Sequence, residues 1–345
     1  MKKIKKKNLL NLILSKKSKL KIIKKKKILL IGGTGLLGSA CRNEFKKKKH
    51  YTMTMSRGIK NNLRVNIRTK NYYNMPKEEI REIIKKNKID TVINFIIFKK
   101  KQAVRDIKIY KGYIKNYFFI SSTSLYKENF TDKKITEKNK IFDKRWSYAV
   151  YKYQCEKEFL KAFKKNFPVT IIRSGHVYSK KTIPTPYIGA GYEFIKHLQN
   201  GGKAIIPFNK KNKWSLIHAK DFASNFSEIV NSNKIYGKII NIASEQAITW
   251  EKIIKIYLQN LNINPNFKEI NSINLPKKFK NAIDGDRAKN CLYDNYYFKK
   301  KIGFFREKIH IQNGLKSSIR YFIKNYKNFK LNNKTLKLFN KFNHY

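Results

Sequence analysis

The chain has 345 residues, enough to bury a sizeable core, and its 79 basic residues against 22 acidic ones give a formal net charge of +57. Only 11 of those 79 are arginine, and the chain is crowded with Lys, Ile, Asn, Tyr and Phe, the profile of AT-rich coding in which lysine fills solvated positions. The charge therefore does not by itself specify nucleic-acid recognition, which leans on arginine forks and aromatic platforms, although it attracts phosphate-rich ligands, RNA included, at low salt.

Residues 1–26 form a lysine-rich extension with no acidic residue and one short apolar stretch, Leu9 to Leu14. That stretch is too short to span a membrane and lacks the pattern of a secretory signal. The extension reads as flexible, with an organellar address as the alternative. No later run reaches transmembrane length, so a soluble, cytoplasmic protein is expected. Three scattered cysteines, Cys41, Cys155 and Cys291, point to reduced thiols, and neither they nor the six histidines have metal-ligand spacing, so no metal is expected.

Ile28-Leu29-Leu30-Ile31 predicts a buried strand, and Leu37, Ala40, Cys41 and Phe45 form a helical stripe after it. Between them Gly32-x-x-Gly35-x-x-Gly38 has the spacing of a dinucleotide-binding turn. One glycine allows the tight turn, one lets the backbone approach a pyrophosphate, and one lets helix and strand pack closely. The phosphates then meet the free N–H groups of the helix start, at Gly35, Leu36 and Leu37. After the second strand, Tyr51 to Met55, comes Ser56-Arg57-Gly58. A guanidinium there suits a 2′-phosphate, which favours NADP over NAD; the ordinary alternative is a solvated turn arginine.

A helix is predicted from about Lys77 to Lys86 and a strand over Ile89 to Phe95. A further strand, Tyr117 to Ile120, ends in Ser121-Ser122-Thr123-Ser124, hydroxyls suited to polarising a substrate oxygen. Trp146 opens an amphipathic helix to about Phe163, in which Tyr148 and Lys152 fall one turn apart on one face. An ammonium beside a phenol lowers its pKa toward neutrality, as a general acid/base needs. Tyr151 has no basic residue four positions on and serves as the decoy.

Val169 to Arg173 is the next strand. Thr182 to Pro186 breaks regularity before a helix from about Tyr192 to Asn200 that stops at Gly201-Gly202. Asp221 is read as a structural helix cap, and His176 and His218 as satisfied structural histidines, His176 also being placed to touch substrate. Ile239 to Ala243 is another strand, and Trp250, Ile253, Ile254, Tyr257 and Leu258 mark a core helix. Residues 325–345 are polar and lysine-rich with no chemistry to assign. Alternating strands and helices argue for a mostly parallel sheet covered on both faces.

Four motifs in order, Gly32 to Gly38, Phe119 to Tyr126, Tyr148 with Lys152, and Ile171 to Tyr178, resemble the extended short-chain dehydrogenase/reductases, the NAD-dependent epimerase/dehydratase family. The resemblance covers about residues 26–323. It implies an α/β, Rossmann-type doubly wound parallel sheet over 27–180, rejoined by 212–245, with a smaller C-terminal substrate lobe from 181–211 and 246–324. Within it Tyr148 would be the acid/base. Lys152 would bind the nicotinamide ribose and depress the tyrosine pKa, while Ser122, with Thr123 as fallback, would hold the substrate oxygen. Arg287 would pair with a substrate diphosphate. The implied partner is a small molecule of nucleotide-sugar type, and a homodimer is compatible with it.

Departures from the family pattern are Arg57 in place of an acidic residue, Asn66 where relatives often carry an aspartate toward the adenine, and Ser174 in place of a proline. Ser124-Leu125 stands where a dehydratase usually has Asp-Glu, so epimerase or reductase chemistry is favoured. An RNA-binding protein on the same scaffold is the second reading. Such relatives have generally lost the tyrosine–lysine pair. A cofactor-sensing regulator is the third.

Overall fold

The computed structural model describes residues 25–58, 66–127, 131–139, 146–187, 191–232, 235–264, 267–271, 280 and 283–342. β1 (Lys27–Ile31) turns through the glycines into α1 (Leu36–Lys47), followed by β2 (Tyr51–Ser56) and the short β3 (Ile67–Arg68). α2 (Lys77–Lys86) forms at the predicted bounds for local reasons. Pro76 precedes it, Glu78 and Glu79 meet the positive helix start, Lys85 and Lys86 the negative end, and Ile80 and Ile84 bury one face.

β4 (Thr91–Asn94), α3 (Lys100–Tyr110), β5 (Asn116–Ser122), α4 (Ser147–Phe163) and β6 (Val169–Ser174) complete the next βα units. The chain then adds β7 (His176–Tyr178), α5 (Gly191–Gln199), β8 (Ala204–Ile206), β9 (Lys213–His218), α6 (Ala219–Val230) and β10 (Ile239–Ile242). It continues through β11 (Ala247–Thr249), α7 (Trp250–Asn260), β12 (Phe267–Glu269), α8 (Tyr296–Ile302), α9 (Ile311–Asn325) and α10 (Asn333–Phe342).

Seven strands form one sheet in the order β10-β6-β5-β4-β1-β2-β3, and every neighbouring pair is parallel. A parallel sheet needs helices on both faces, so its strands read as unbroken apolar runs. Leu29, Ile31, Tyr117, Phe119 and Ile171 face α2, α3 and α4; Ile28, Leu30, Phe118, Ile120 and Ile172 face α1 and α6. The order reverses between β1 and β4, which opens a crevice at the strand C-termini where ligands of such sheets bind.

A third hydrophobic cluster, from Trp214, Trp250, Tyr257 and Tyr293 among others, lies apart from the two sheet faces and is called the lobe below; β9, in the stretch expected to rejoin the large sheet, pairs with β7 and β11 instead. Within the segment read as a polar tail the structure forms α10, whose Phe339 is 2% exposed and packs against Tyr187, Phe194 and His197. Just before it, Asn332 donates its backbone N–H to Glu193 at 2.8 Å. The expected Asp221 cap is corrected. His218 caps α6, its Nδ1 accepting from the Lys220 N–H at 3.2 Å, because the ring stands one residue before the helix. Asp221 lies in the first turn and accepts from the Ile309 N–H at 3.0 Å, tying down the segment that leads into α9. The three cysteines are free and buried. Among the described residues no helix is long and apolar enough to cross a membrane.

Candidate active site

The glycine turn is shaped by steric necessity. Gly32 has φ +80°, the left-handed region that favours glycine. A Cβ on Gly38 would lie 2.6 Å from the Gly32 carbonyl oxygen and from the Gly33 Cα, so α1 reaches the strand only without that side chain. Gly33, which the spacing argument passed over, is equally constrained, with Leu30 and Thr54 side chains under 3.0 Å from its missing Cβ. Gly35 differs. It is exposed, φ is −67°, and a Cβ would meet nothing nearer than the Gly32 oxygen at 3.4 Å. The protein itself leaves room for a side chain there, and the bare backbone beside the α1 N-terminus is what the close approach of a pyrophosphate needs. Leu36 and Leu37 supply the first helical N–H groups, while the Leu37 side chain packs on the apolar sheet face.

A cavity of about 710 Å³ opens over this turn, lined by Gly32, Gly35, Arg57, Tyr73, Ile96 and Phe98. Arg57, exposed just past β2, lines it. Asn66 is committed elsewhere, since its Oδ1 accepts from the Thr54 N–H at 2.9 Å and its own N–H bonds the Thr54 carbonyl, extending the sheet edge. The residues present fit a dinucleotide.

Tyr148, Ser122 and Lys152 are brought together. Lys152 falls on the buried stripe of α4 with Ala149, Cys155 and Phe159, and only 2% of it is exposed. Its ammonium donates to the Ile97 and Ile120 carbonyl oxygens at 2.7 and 2.8 Å and lies 4.7 Å over the Phe98 ring and 5.9 Å from the Tyr148 ring centre. Phe98 thus joins the dinucleotide-sized cavity to the tyrosine, whose ring centre is 6.4 Å away. Tyr151, the decoy, is 41% exposed.

The expected direction of the Tyr148 pKa is reversed. Burial pushes the phenol up to about 12, the Asp286 carboxylate adds to the rise, and the hydrogen bond with Ser122 opposes it. Lys152 does not offset this, because its charge is turned toward two carbonyls and burial lowers its own pKa to about 8. Of the two candidate hydroxyls, Ser122 meets Tyr148, while Thr123 is buried toward Tyr293.

α4 is held by a buried ion pair one turn past Lys152. Arg173 makes a two-pronged contact to Glu156, at 3.0 Å from Nε and 2.7 Å from Nη2, and Ser121 donates to the same carboxylate at 2.6 Å. The side chain before the missing proline is thereby locked between β5, β6 and α4.

Asp286, which the sequence reading passed over in favour of its neighbour Arg287, joins the two halves. It is 1% exposed and its Oδ1 accepts from Ser124 Oγ at 3.0 Å and pairs with His176 Nε2 at 2.9 Å, while Oδ2 pairs with Arg287. Burial works to raise its pKa, yet His176 and Arg287 hold the carboxyl well below the usual range. Arg287 also donates to the Thr185 carbonyl at 3.2 Å and lies 4.6 Å over Trp214. His176, Arg287, Thr185, Trp214, Tyr187 and Lys330 line a second cavity of about 410 Å³ in the lobe. Among the described residues no group of three His, Cys, Asp or Glu is placed to hold a metal.

The profile of the NAD dependent epimerase/dehydratase family matches residues 28–243. The chain belongs to that family. The match runs from β1 to the end of β10, the whole seven-stranded sheet, and stops before Asp286 and Arg287. A UDP-N-acetyl-alpha-D-glucosaminuronate decarboxylase of Bacillus cytotoxicus is 30% identical over 118 residues, which is 34% of this chain and 35% of that protein, so the matched stretch spans about a third of the curated relative.

Solved structures share the fold at low identity. dTDP-glucose 4,6-dehydratase of Bacillus anthracis, in complex with NAD, superposes with TM-score 0.69 at 15% identity, covering 88% of this chain and 98% of that one. UDP-glucuronic acid 4-epimerase of Bacillus cereus, with UDP-glucuronic acid and NAD, gives 0.68 at 16%, covering 86% and 99%. UDP-N-acetylglucosamine 4-epimerase of Methanobrevibacter ruminantium gives 0.66 at 20%, covering 87% and 99%.

Proposed function

We propose that this family member is an oxidoreductase of epimerase or reductase type that transfers a hydride at a carbon of a nucleotide-sugar substrate. The observation that carries this reading is the convergence of Tyr148, Ser122 and Lys152 beside Phe98, at the end of the glycine-lined cavity. When bound, the nicotinamide cofactor supplies or accepts the hydride. Gly35 and the first N–H groups of α1 hold its pyrophosphate, and Arg57 takes an adenosine 2′-phosphate, which makes NADP the preferred form.

Tyr148 exchanges the proton of the reacting hydroxyl. With its pKa near 12 the phenol carries its proton at neutral pH and stands ready as the acid; its action as base is helped by Ser122, whose hydrogen bond favours the ionised form. Lys152, anchored on two carbonyls, would give its remaining N–H to the ribose hydroxyls. Arg287, in the wall of a lobe cavity that Lys181 and Lys330 also line, would suit a diphosphate. Neighbours solved with nucleotide sugars support this substrate class.

The test is to incubate the protein with NADP+ or NAD+ and UDP-glucose, UDP-N-acetylglucosamine or dTDP-glucose, following reduced cofactor and sugar isomers. Tyr148→Phe is expected to lower turnover by on the order of 10²-fold or more with cofactor binding retained, from loss of the positioned proton donor. Unchanged turnover in Tyr148→Phe refutes the assignment.

A further inference from the structure

Behind the wall of the dinucleotide-sized cavity lies a fully buried carboxylate that the chemistry above does not use. Asp106 sits on the inner face of α3. Three donors reach it from three other elements. Tyr72, on the short 3₁₀ turn Tyr72–Asn74, gives its hydroxyl to Oδ1 at 2.9 Å, while Tyr117 on β5 and the Asn94 amide at the end of β4 donate to Oδ2 at 2.6 and 2.8 Å. The Tyr110 hydroxyl meets that of Tyr72 at 2.8 Å, and the Arg105 guanidinium stands 3.8 Å from Oδ1. Burying a charge is costly even when it is hydrogen-bonded, which sets Asp106 apart from Ala103 and Ile109 on the same face of α3.

The charge has its effect through Asn94. A side-chain amide has a donor end and an acceptor end, and a carboxylate only accepts, so Asp106 dictates that Nδ2 turns toward it and Oδ1 away. Oδ1 then accepts the Ile96 N–H at 2.8 Å. The Ile96 side chain packs against Gly32, 2.6 Å from where a Cβ would stand, and its carbonyl accepts from the Tyr73 hydroxyl at 3.1 Å. The next carbonyl, of Ile97, accepts from the Lys152 ammonium, which Phe98 also faces. Ile96, Phe98, Tyr72 and Tyr73 all line the cavity. One carboxylate thus orients the amide that places a wall of the cavity and, one residue on, the carbonyl that holds Lys152.

We propose that Asp106 is a positioning residue for the dinucleotide: ionised, it locks Asn94 and with it the wall at 96–98, and protonated, it releases that orientation and weakens cofactor binding. The proposal rests on the dinucleotide reading of this cavity. Burial pushes the Asp106 carboxyl up to about 6, against the opposing pull of Tyr117, Tyr72, Asn94 and Arg105. Once protonated it offers a donor of its own, and the bond from Asn94 loses its charge assistance. The groups that face it hold their state between about pH 5 and about pH 7.5. Burial, with the Asp106 charge adding to it, keeps the phenols of Tyr72, Tyr73, Tyr110 and Tyr117 above their ordinary value, and a guanidinium stays cationic. Lys152, at about 8, stays mostly charged. The folded value of Asp106 lies above the ordinary 3.8, so its contribution to stability grows as pH falls through 6 toward 3.8. Affinity lost in acid is therefore not stability lost at this group.

The experiment is a calorimetric titration with NAD+ and with NADP+ between about pH 7.5 and about pH 5, at high salt, with urea midpoints of each protein reporting the fold. The 2′-phosphate of NADP+ itself titrates at about pH 6, but it does so equally with every protein, so the difference between wild type and variant carries the signal. Relative to Asp106→Asn, wild-type affinity is expected to fall about 5-fold across the window, the worth of the charge assistance to one hydrogen bond. Asp106→Asn cannot ionise and is expected to start about 5-fold weaker at the alkaline end. Asn94→Leu, which keeps the carboxyl but breaks the relay, is expected to behave like Asp106→Asn. Tyr117→Phe takes a donor from the carboxylate on the side away from the cavity. It is expected to keep wild-type affinity at the alkaline end and to move the midpoint of the fall to higher pH, because the charged form has lost a hydrogen bond.

A wild-type dependence no steeper than that of Asp106→Asn overturns the proposal, as does a dependence that survives in Asn94→Leu or a midpoint that Tyr117→Phe does not move. If Asp106→Asn does not fold, the Tyr117→Phe shift decides alone. A wild type that binds neither cofactor at any pH strikes the proposed function first, and this inference with it.

Discussion

The two cavities differ in how much of each comes from one local stretch of chain. The one over the glycine turn takes its floor from backbone, Gly32 and Gly35 at the start of α1, and its walls from side chains such as Arg57, Tyr73, Ile96 and Phe98. The lobe cavity is made of side chains from distant stretches of chain, namely His176 on β7, Trp214 on β9, Arg287 beside Asp286, and Lys330 before α10. A backbone site needs a local sequence, and so it can be read from one. A side-chain site needs a finished fold, and its parts carry no local signature.

That contrast explains which residues were legible. The Gly32, Gly35 and Gly38 spacing and the one-turn interval from Tyr148 to Lys152 are local, and both expectations place the residues where the structure has them. Asp286 could not be singled out, because its meaning lies in Ser124 and His176, each more than a hundred residues away in the chain. Burial was illegible as well. Spacing puts an ammonium one turn from a phenol, but only the fold reveals that the ammonium faces carbonyls and that desolvation, not the neighbouring charge, decides the phenol's pKa. The α6 cap was missed for a similar reason, a histidine ring doing the work that the sequence assigned to a carboxylate.

The largest effect is expected at the ion pair that fixes α4 against the sheet. Arg173→Met leaves Glu156 buried without its charge partner, and a loss of about 3–5 kcal/mol in unfolding free energy is expected from urea denaturation. A loss under about 1 kcal/mol would mean that the pair does not hold the helix. On the lobe side, Phe339→Ala removes the buried anchor of α10, for about 3 kcal/mol or somewhat more by the same measurement. The dinucleotide cavity, far from α10, should bind NADPH as before.

Lys152 gives a pH signature of its own. Its folded pKa of about 8 lies below the ordinary lysine value of 10.5, so the unfolded chain holds that proton more tightly. The burial cost is therefore fully present below pH 8 and is relieved as pH rises toward 10.5, a gain of up to about 3 kcal/mol across the window. Lys152→Met removes this contribution, so the difference in stability between wild type and variant changes with pH in that direction. A pH-independent difference would show that Lys152 titrates as a solvated lysine. Arg57→Ala is the mildest change, expected to weaken NADPH about 10-fold, the worth of one charge-assisted contact, and to leave NADH nearly unchanged.

Gly35 is bare for a ligand rather than for the fold, and NADPH titration of wild type against Gly35→Ala at high salt measures that directly. Saturable wild-type binding, weakened at least about 10-fold in the variant while the urea midpoint stays put, is the predicted result. Wild type without binding, or a Gly35→Ala variant that binds as tightly as wild type, would contradict it.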